Sequence, residues 1–176
     1  LIIVFIFGIN VAGGVSAVVE NAQSLPGYLT MHTTYDPVSG TEQPYPIISI
    51  VSMIAWGLGY FGMPHILLRF MAIEDEEKLK LSRKVATGWV VISLAVAVLI
   101  GIIGLAMTAA GELIPLEGSA SETIIVKIAD LMSQHGVLPA LLAGTILAGI
   151  LASTMSTADS QLLAASSSVS SDLLGD

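Results

Sequence analysis

Trp56-Gly-Leu-Gly-Tyr-Phe-Gly-Met-Pro-His65 lies inside an apolar run covering residues 47–71. A helix that crosses a bilayer takes about 20 such residues, so the run is long enough to span. Yet the stretch packs three glycines and a proline into nine residues. In lipid, backbone groups freed by a break have no water to bond. A broken helix persists there where protein or a polar cavity covers the break. The stretch therefore predicts two half-helices meeting at mid-depth, with partial charges of opposite sign at their ends. A carboxylate or an ammonium could be held there without a formal charge on the protein.

Trp56, Tyr60 and Pro64 are spaced i, i+4, i+8 and share a face if the helix is roughly regular. Gly57 and Gly59 are expected to release the helical bonding, and Pro64 to remove a donor four residues after Tyr60. Two amphipathic rings beside the break would shape an apolar pocket with polar tips. The plainer reading is a proline-kinked helix packed on a glycine-lined neighbour. The density of glycines favours a site. His65 has no partner cluster and is no metal site. Arg69 reads first as an anchor that snorkels from the end of its span, and second as a residue of an ion or solute pathway.

The surrounding composition agrees with a membrane setting. The chain is 54% hydrophobic and 11% charged, with a mean hydropathy of +0.85. A soluble domain would carry about a quarter charged residues. The fold expected is an all-α membrane protein, a multi-span helical bundle forming a single transmembrane domain. With no cysteine, disulfides and cysteine metal sites are excluded. The net charge of −8 excludes a basic nucleic-acid footprint. Leu1-Ile-Ile-Val-Phe-Ile-Phe7 begins within an apolar segment and lacks a basic leader, so the chain reads as an internal piece of a longer protein.

Four spans are expected, over about residues 1–19, 47–71, 85–110 and 137–163. Asn10 in the first predicts an interhelical hydrogen bond. The loop 20–46 is punctuated by turn pairs such as Pro26-Gly27 and Ser39-Gly40. The loop 72–84 reads as a short solvated helical connector, with Glu74–Lys78 and Glu76–Lys80 at i,i+4. In the loop 111–136, Ser119-Ala-Ser-Glu122 fits a capping box. After it, Ile124, Ile125, Ile128, Leu131 and Met132 make the stripe of a short packed helix. Of six Lys and Arg, five lie in or beside loop 72–84. The positive-inside rule puts that loop in the cytoplasm and the loops 20–46 and 111–136 outside.

The fourth span turns polar at Ser153-Thr-Met-Ser-Thr-Ala-Asp-Ser160. Ser153, Ser156, Thr157 and Ser160 form one stripe of hydroxyl oxygens at i, i+3, i+4, i+7. A small hard monovalent cation takes several oxygens and no soft ligands. The competing reading is that these hydroxyls bond the carbonyl four residues back or glue helices together. Asp159, a carboxylate beside the stripe, raises the functional reading, since such residues face a bundle interior or a wet path.

Both stretches, the first continued as Ile66-Leu-Leu-Arg-Phe-Met71 and the second as Met155-Ser-Thr-Ala-Asp-Ser-Gln-Leu-Leu163, resemble matching segments of the sodium:solute symporter family. The first motif is specific for that family's proline branch. The likeness covers essentially the whole chain. It implies an inverted-repeat fold of the leucine-transporter type, with about ten core helices and the first of each repeat broken at mid-membrane. Residues 1–19 would close one repeat and the other three spans open the next. By resemblance, Trp56, Tyr60 and Pro64 occupy substrate-site positions. The carbonyl of Ser153 and the hydroxyls of Ser156 and Thr157 occupy sodium-site positions. Asp159 and Ser160 fall where some members build an additional sodium site. The facing half of each site is expected before residue 1, so the chain alone is not expected to transport. The implied activity is sodium-coupled symport of proline across the cytoplasmic membrane, with Na+ as coupling ion and no other cofactor. A family transporter for another small solute, such as pantothenate or a carboxylate, stays open, as does a transporter-like sensory module fused to a signalling kinase. No span holds the paired acids, the Ser/His dyad or the metal cluster that an enzyme would need.

Overall fold

A computed structural model describes residues 2–36, 39–60, 62–73 and 75–173, with the backbone alone at residue 173. Phe61 of the broken stretch and Glu74 of the expected Glu74–Lys78 pair lie outside the described residues. The chain is helical almost throughout, and it divides into two compact units, residues 1–45 with 89–147 and residues 46–88 with 148–176.

The first unit begins with α1 (Ile2–Val11) and α2 (Val15–Ser24). One span, softened by its glycines, was expected over about residues 1–19. Instead the two helices meet at 79°. Gly13 and Gly14 have φ of +92° and +97°, a conformation open to glycine and costly to other residues. Two such residues in succession turn the chain rather than merely soften it. Asn10 bonds within its own helix, donating from Nδ2 to the carbonyl of Ile6 at 2.8 Å. This replaces the interhelical bond expected of it.

The segment read as an irregular loop carries a β-hairpin, β1 (Thr33–Asp36) paired antiparallel with β2 (Thr41–Pro44) in the register Thr33↔Pro44 to Asp36↔Thr41. Gly40 closes its turn by donating to the carbonyl of Asp36 at 2.9 Å.

The core of this unit forms where α1 meets α5 (Glu76–Ala109) and α6 (Ile124–Ser133). Val4, Ile100, Ile103, Met107 and Ile128 are fully or almost fully buried there. Gly8 lets the backbone of α1 approach closely, since a Cβ there would stand 2.6 Å from Cγ2 of Ile103. Gly104 does the same for α5 against Ile124, at 2.5 Å. Small residues are how membrane helices gain dispersion contacts when lipid supplies no hydrophobic drive between them.

α6 lays its apolar stripe on this core, with Ile124, Ile125 and Leu131 partly buried against it. The capping box ahead of it does not form. Residues Gly118–Thr123 make a 3₁₀ turn, and α6 starts at Ile124 without a side-chain cap. The hydroxyls are used inside that turn: Ser121 donates to the carbonyl of Gly118, and Thr123 to that of Ala120 at 2.7 Å.

The second unit contains α3 (Ile47–Tyr60), α4 (Pro64–Met71), the first part of α5 and most of the polar half of α7 (Val137–Ser168), which ends in a π-helical turn at Val169–Leu173. The connector 72–84 and the span 85–110 were read as separate elements; α5 runs through both. Its start is well supported. Asp75 accepts from the N–H of Glu77 at 3.0 Å, and Glu76 and Glu77 stand in the first turn, where the helix dipole favours negative charge. At 1.5 Å per residue its 34 residues reach about 50 Å, against a hydrocarbon core of about 30 Å.

By length and composition, Glu76–Ala109 and Val137–Asp172 are each able to cross a membrane. The bent pairs α1–α2 and α3–α4 each reach that length together.

Candidate functional site

The break falls at the end of α3, not at its first glycines. Gly57 and Gly59 stay helical, and α3 continues to Tyr60. Glycine costs a helix about 1 kcal/mol without removing a donor, so it weakens without breaking. The chain then leaves the helix with tightened i→i−3 bonds, from Gly62 N–H to the carbonyl of Gly59 (3.1 Å) and from Met63 N–H to that of Tyr60 (3.4 Å). Pro64 opens α4 at its first position. Its missing donor there is one that no helix uses, and its fixed φ favours the start. The axes of α3 and α4 meet at 49°. The C-terminal end of α3, with its partial negative charge, and the N-terminal end of α4, with its positive one, thus come together at this joint.

Trp56 and Tyr60 share a face of α3 and touch edge to face, with ring centroids 5.9 Å apart at 66°. Pro64 is not on that continuous face, because the bend intervenes. Trp56 is 75% exposed and Tyr60 49%, so both rings are available to a ligand or to a packing partner.

On α7 the hydroxyl stripe is present and is bonded along its own helix. Thr157 Oγ1 donates to the carbonyl of Ser153 at 3.1 Å, and Ser160 Oγ to that of Ser156 at 2.9 Å. The same back-bonding holds Thr145 and Thr154. Such a bond uses the hydroxyl proton and leaves the oxygen lone pairs. Lone pairs are what a hard cation takes. The structural role foreseen for the Thr157 hydroxyl thus leaves it lone pairs, whereas the Ser153 carbonyl already accepts that hydroxyl beside its helical N–H and would be open to a cation on release of the Thr157 proton. Asp159 stands exposed beside the stripe.

The two motifs meet at Arg69. Its Nη2 lies 3.5 Å from Ser160 Oγ, across 91 residues of sequence. Arg69 is exposed while Ser160 is half-buried. Reading the residues singly gave Arg69 an anchor or pathway role and Ser160 a place on the stripe, without pairing them. Among the described residues no group of three or more His, Asp or Glu could hold a metal ion. The first unit holds an apolar cavity of about 240 Å³ lined by residues such as Phe5, Val18 and Ile103, and a larger mixed one. None of the lining residues belongs to either motif.

Residues 1–175 match the sodium:solute symporter family. The chain is 38% identical over 127 residues to the high-affinity proline transporter PutP of Bacillus subtilis, covering 72% of this chain and 25% of that protein. It is 39% identical over 127 residues to the osmoregulated proline transporter OpuE of the same organism, covering 72% and 24%. To a sodium/proline symporter of Staphylococcus aureus it is 43% identical over 125 residues, covering 71% and 23%. It thus spans about a quarter of the length of these curated relatives. No solved structure gives a significant match. A broken helix and an oxygen-lined helix on one compact unit, within a match that runs almost end to end, place this chain in the sodium:solute symporter family.

Proposed function

We propose that the protein containing this chain carries proline into the cell together with Na+, as a secondary active symporter of the cytoplasmic membrane. The observation that carries this reading is the joining of α4 to α7 through Arg69 and Ser160 within one compact unit. That contact ties α4, the half-helix that follows the joint, to the helix bearing the sodium-type oxygens, while the substrate-type rings stand on α3 just before the joint. The names of the relatives, proline transporters and sodium/proline symporters, supply the solute.

In this reading Na+ is cargo. The Ser153 carbonyl with the Ser156 and Thr157 hydroxyls contributes part of its shell. Trp56 and Tyr60 offer proline an apolar wall, and Pro64 sets the joint at which the helix ends meet its charges. Asp159 and Ser160 serve a second ion or its path. Binding at one site raises affinity at the other by the same factor, as linkage requires. The arrangement belongs to an inverted-repeat transporter of the leucine-transporter type, with segments 20–46 and 111–136 outside and the segment 72–84, which includes the start of α5, in the cytoplasm.

The test is uptake of labelled proline by proteoliposomes of the full-length protein under an inward sodium gradient. Uptake that collapses without the gradient is expected. Sodium-driven uptake of a different solute, with proline ignored, would overturn the choice of substrate, and absence of any sodium-driven uptake would overturn symport.

A further inference from the structure

The larger cavity of the first unit has a volume of about 770 Å³, within the range of about 300–1,000 Å³ typical of small-molecule sites. Its walls are gathered from separate segments: Asn21 near the end of α2, Tyr28 in the following turn, Tyr35 on β1, Gly101 and Thr108 on α5, and Glu117 at the head of the 3₁₀ turn. Glu117 is the charged residue of the lining, and no Lys, Arg or His contributes to it among the described residues.

The polar groups present are suited to accept from or surround a cation. Thr108 donates its hydroxyl proton to the carbonyl of Gly104 at 3.0 Å, which turns its lone pairs outward. Burial pushes the phenol of Tyr28 above its ordinary value of 10, so the ring stays neutral. Gly101 keeps the α5 wall open, since a Cβ there would meet nothing within 4 Å. A carboxylate with two tyrosine rings is the composition that receives ammonium groups, through charge attraction and the negative faces of the rings. A zwitterion is received less well, because its own carboxylate would meet Glu117 and find no cation.

We propose that this cavity binds a small organic cation with an ammonium or quaternary ammonium head and no carboxylate, with Glu117 as counter-charge and Tyr28 and Tyr35 as aromatic walls. It is a site additional to the transport residues, all of which lie in the second unit. The basic-residue pattern assigns its loops to the outer side, so the ligand arrives from outside the cell.

The experiment is equilibrium binding of radiolabelled tetramethylammonium to the detergent-purified full-length protein. Saturable binding is expected. Glu117→Gln, a change at an exposed position that keeps the side-chain shape, weakens it by roughly fivefold or more through loss of the counter-charge. Gly101→Leu fills the cavity and abolishes it. Trp56→Ala leaves it unchanged. Glycine betaine, the same head with a carboxylate added, competes at least roughly tenfold less well than choline, since its carboxylate meets Glu117. Absence of saturable binding overturns the proposal, as does binding indifferent to Glu117→Gln or equal competition by betaine. Loss of binding in Trp56→Ala overturns it too, by moving the cation to the transport residues.

Discussion

Arg69 on α4 reaches Ser160 on α7 with 3.5 Å between Nη2 and Oγ, and Ser160 passes its own proton to the carbonyl of Ser156 at 2.9 Å. The guanidinium is thus one hydrogen bond away from the backbone of the sodium-type stripe. If that chain couples the two helices, Arg69→Lys and Ser160→Ala should change apparent sodium affinity non-additively. Groups in direct contact show such coupling and distant ones do not. The measurement is the sodium dependence of proline uptake in both single variants and the double variant. Strict additivity would show that the contact transmits nothing.

The stripe itself makes a sharper test. Thr157→Ala removes an oxygen that is held in place by its bond to Ser153. Hydrogen bonds and oxygen contacts to a charged partner are worth about 1.5–3 kcal/mol, so apparent sodium affinity should fall roughly tenfold or more. Thr157→Ser keeps the oxygen and should restore most of it. Ser156→Ala should weaken sodium as well. Unchanged sodium dependence in both alanine variants would leave the hydroxyls with a structural role alone.

Much of this arrangement was legible from residue order, and the failures have physical causes. The break was readable because Pro64 cannot continue a helix. Its position was not, because Gly57 and Gly59 weaken a helix without removing a donor, and α3 keeps them. The bend after α1 did not show in residue order, since glycine permits a positive φ without requiring it, and Gly13 and Gly14 both adopt one where the helices meet at 79°. The hairpin at residues 33–44 was missed because its strands are four residues each and mostly polar; Ser39-Gly40 between Thr-rich flanks was the available signal. Arg69–Ser160 spans 91 residues, and no local pattern fixes a pair at that separation.

The ring pair on α3 separates a pocket from a kink. Trp56 and Tyr60 lean edge to face, an arrangement worth about 0.5–1.5 kcal/mol beyond area burial. Tyr60→Ala should therefore raise the KM for proline several-fold, both by losing contact and by freeing Trp56. Tyr60→Phe keeps the ring contact and should lie closer to wild type. Initial rates of uptake against proline concentration give the answer. A KM unmoved by Tyr60→Ala would identify the stretch as a packed joint.

Packing in the first unit predicts a contrast between two glycines on one helix. At Gly104 an added Cβ would stand 2.5 Å from Ile124 Cδ1, whereas at Gly101 it would meet nothing within 4 Å. Gly104→Ala should lower thermal stability by about 1–3 kcal/mol, the usual cost of overpacking. Gly101→Ala should be neutral or slightly stabilising, because alanine gains up to about 1 kcal/mol in a helix. Melting of the two variants in detergent measures the difference. Equal melting temperatures would mean that α6 shifts freely to admit the methyl.

Tyr28 ties stability to alkaline pH. Burial raises its phenol above the ordinary value of 10, because the charged form loses hydration. A group whose folded pKa exceeds its unfolded value contributes stability that is complete below the unfolded pKa and is lost as pH rises through the folded one. The window thus opens near pH 10 and extends upward. Within it the unfolded chain releases the Tyr28 proton more readily, and unfolding is favoured. Tyr28→Phe removes this component, so the variant should lose less stability between neutral and strongly alkaline pH than the parent. Chemical or thermal unfolding across that interval provides the comparison, with the phenolate absorbance as an independent readout. Parallel declines in the two proteins would mean that the Tyr28 phenol ionises as freely in the folded state as in the unfolded chain.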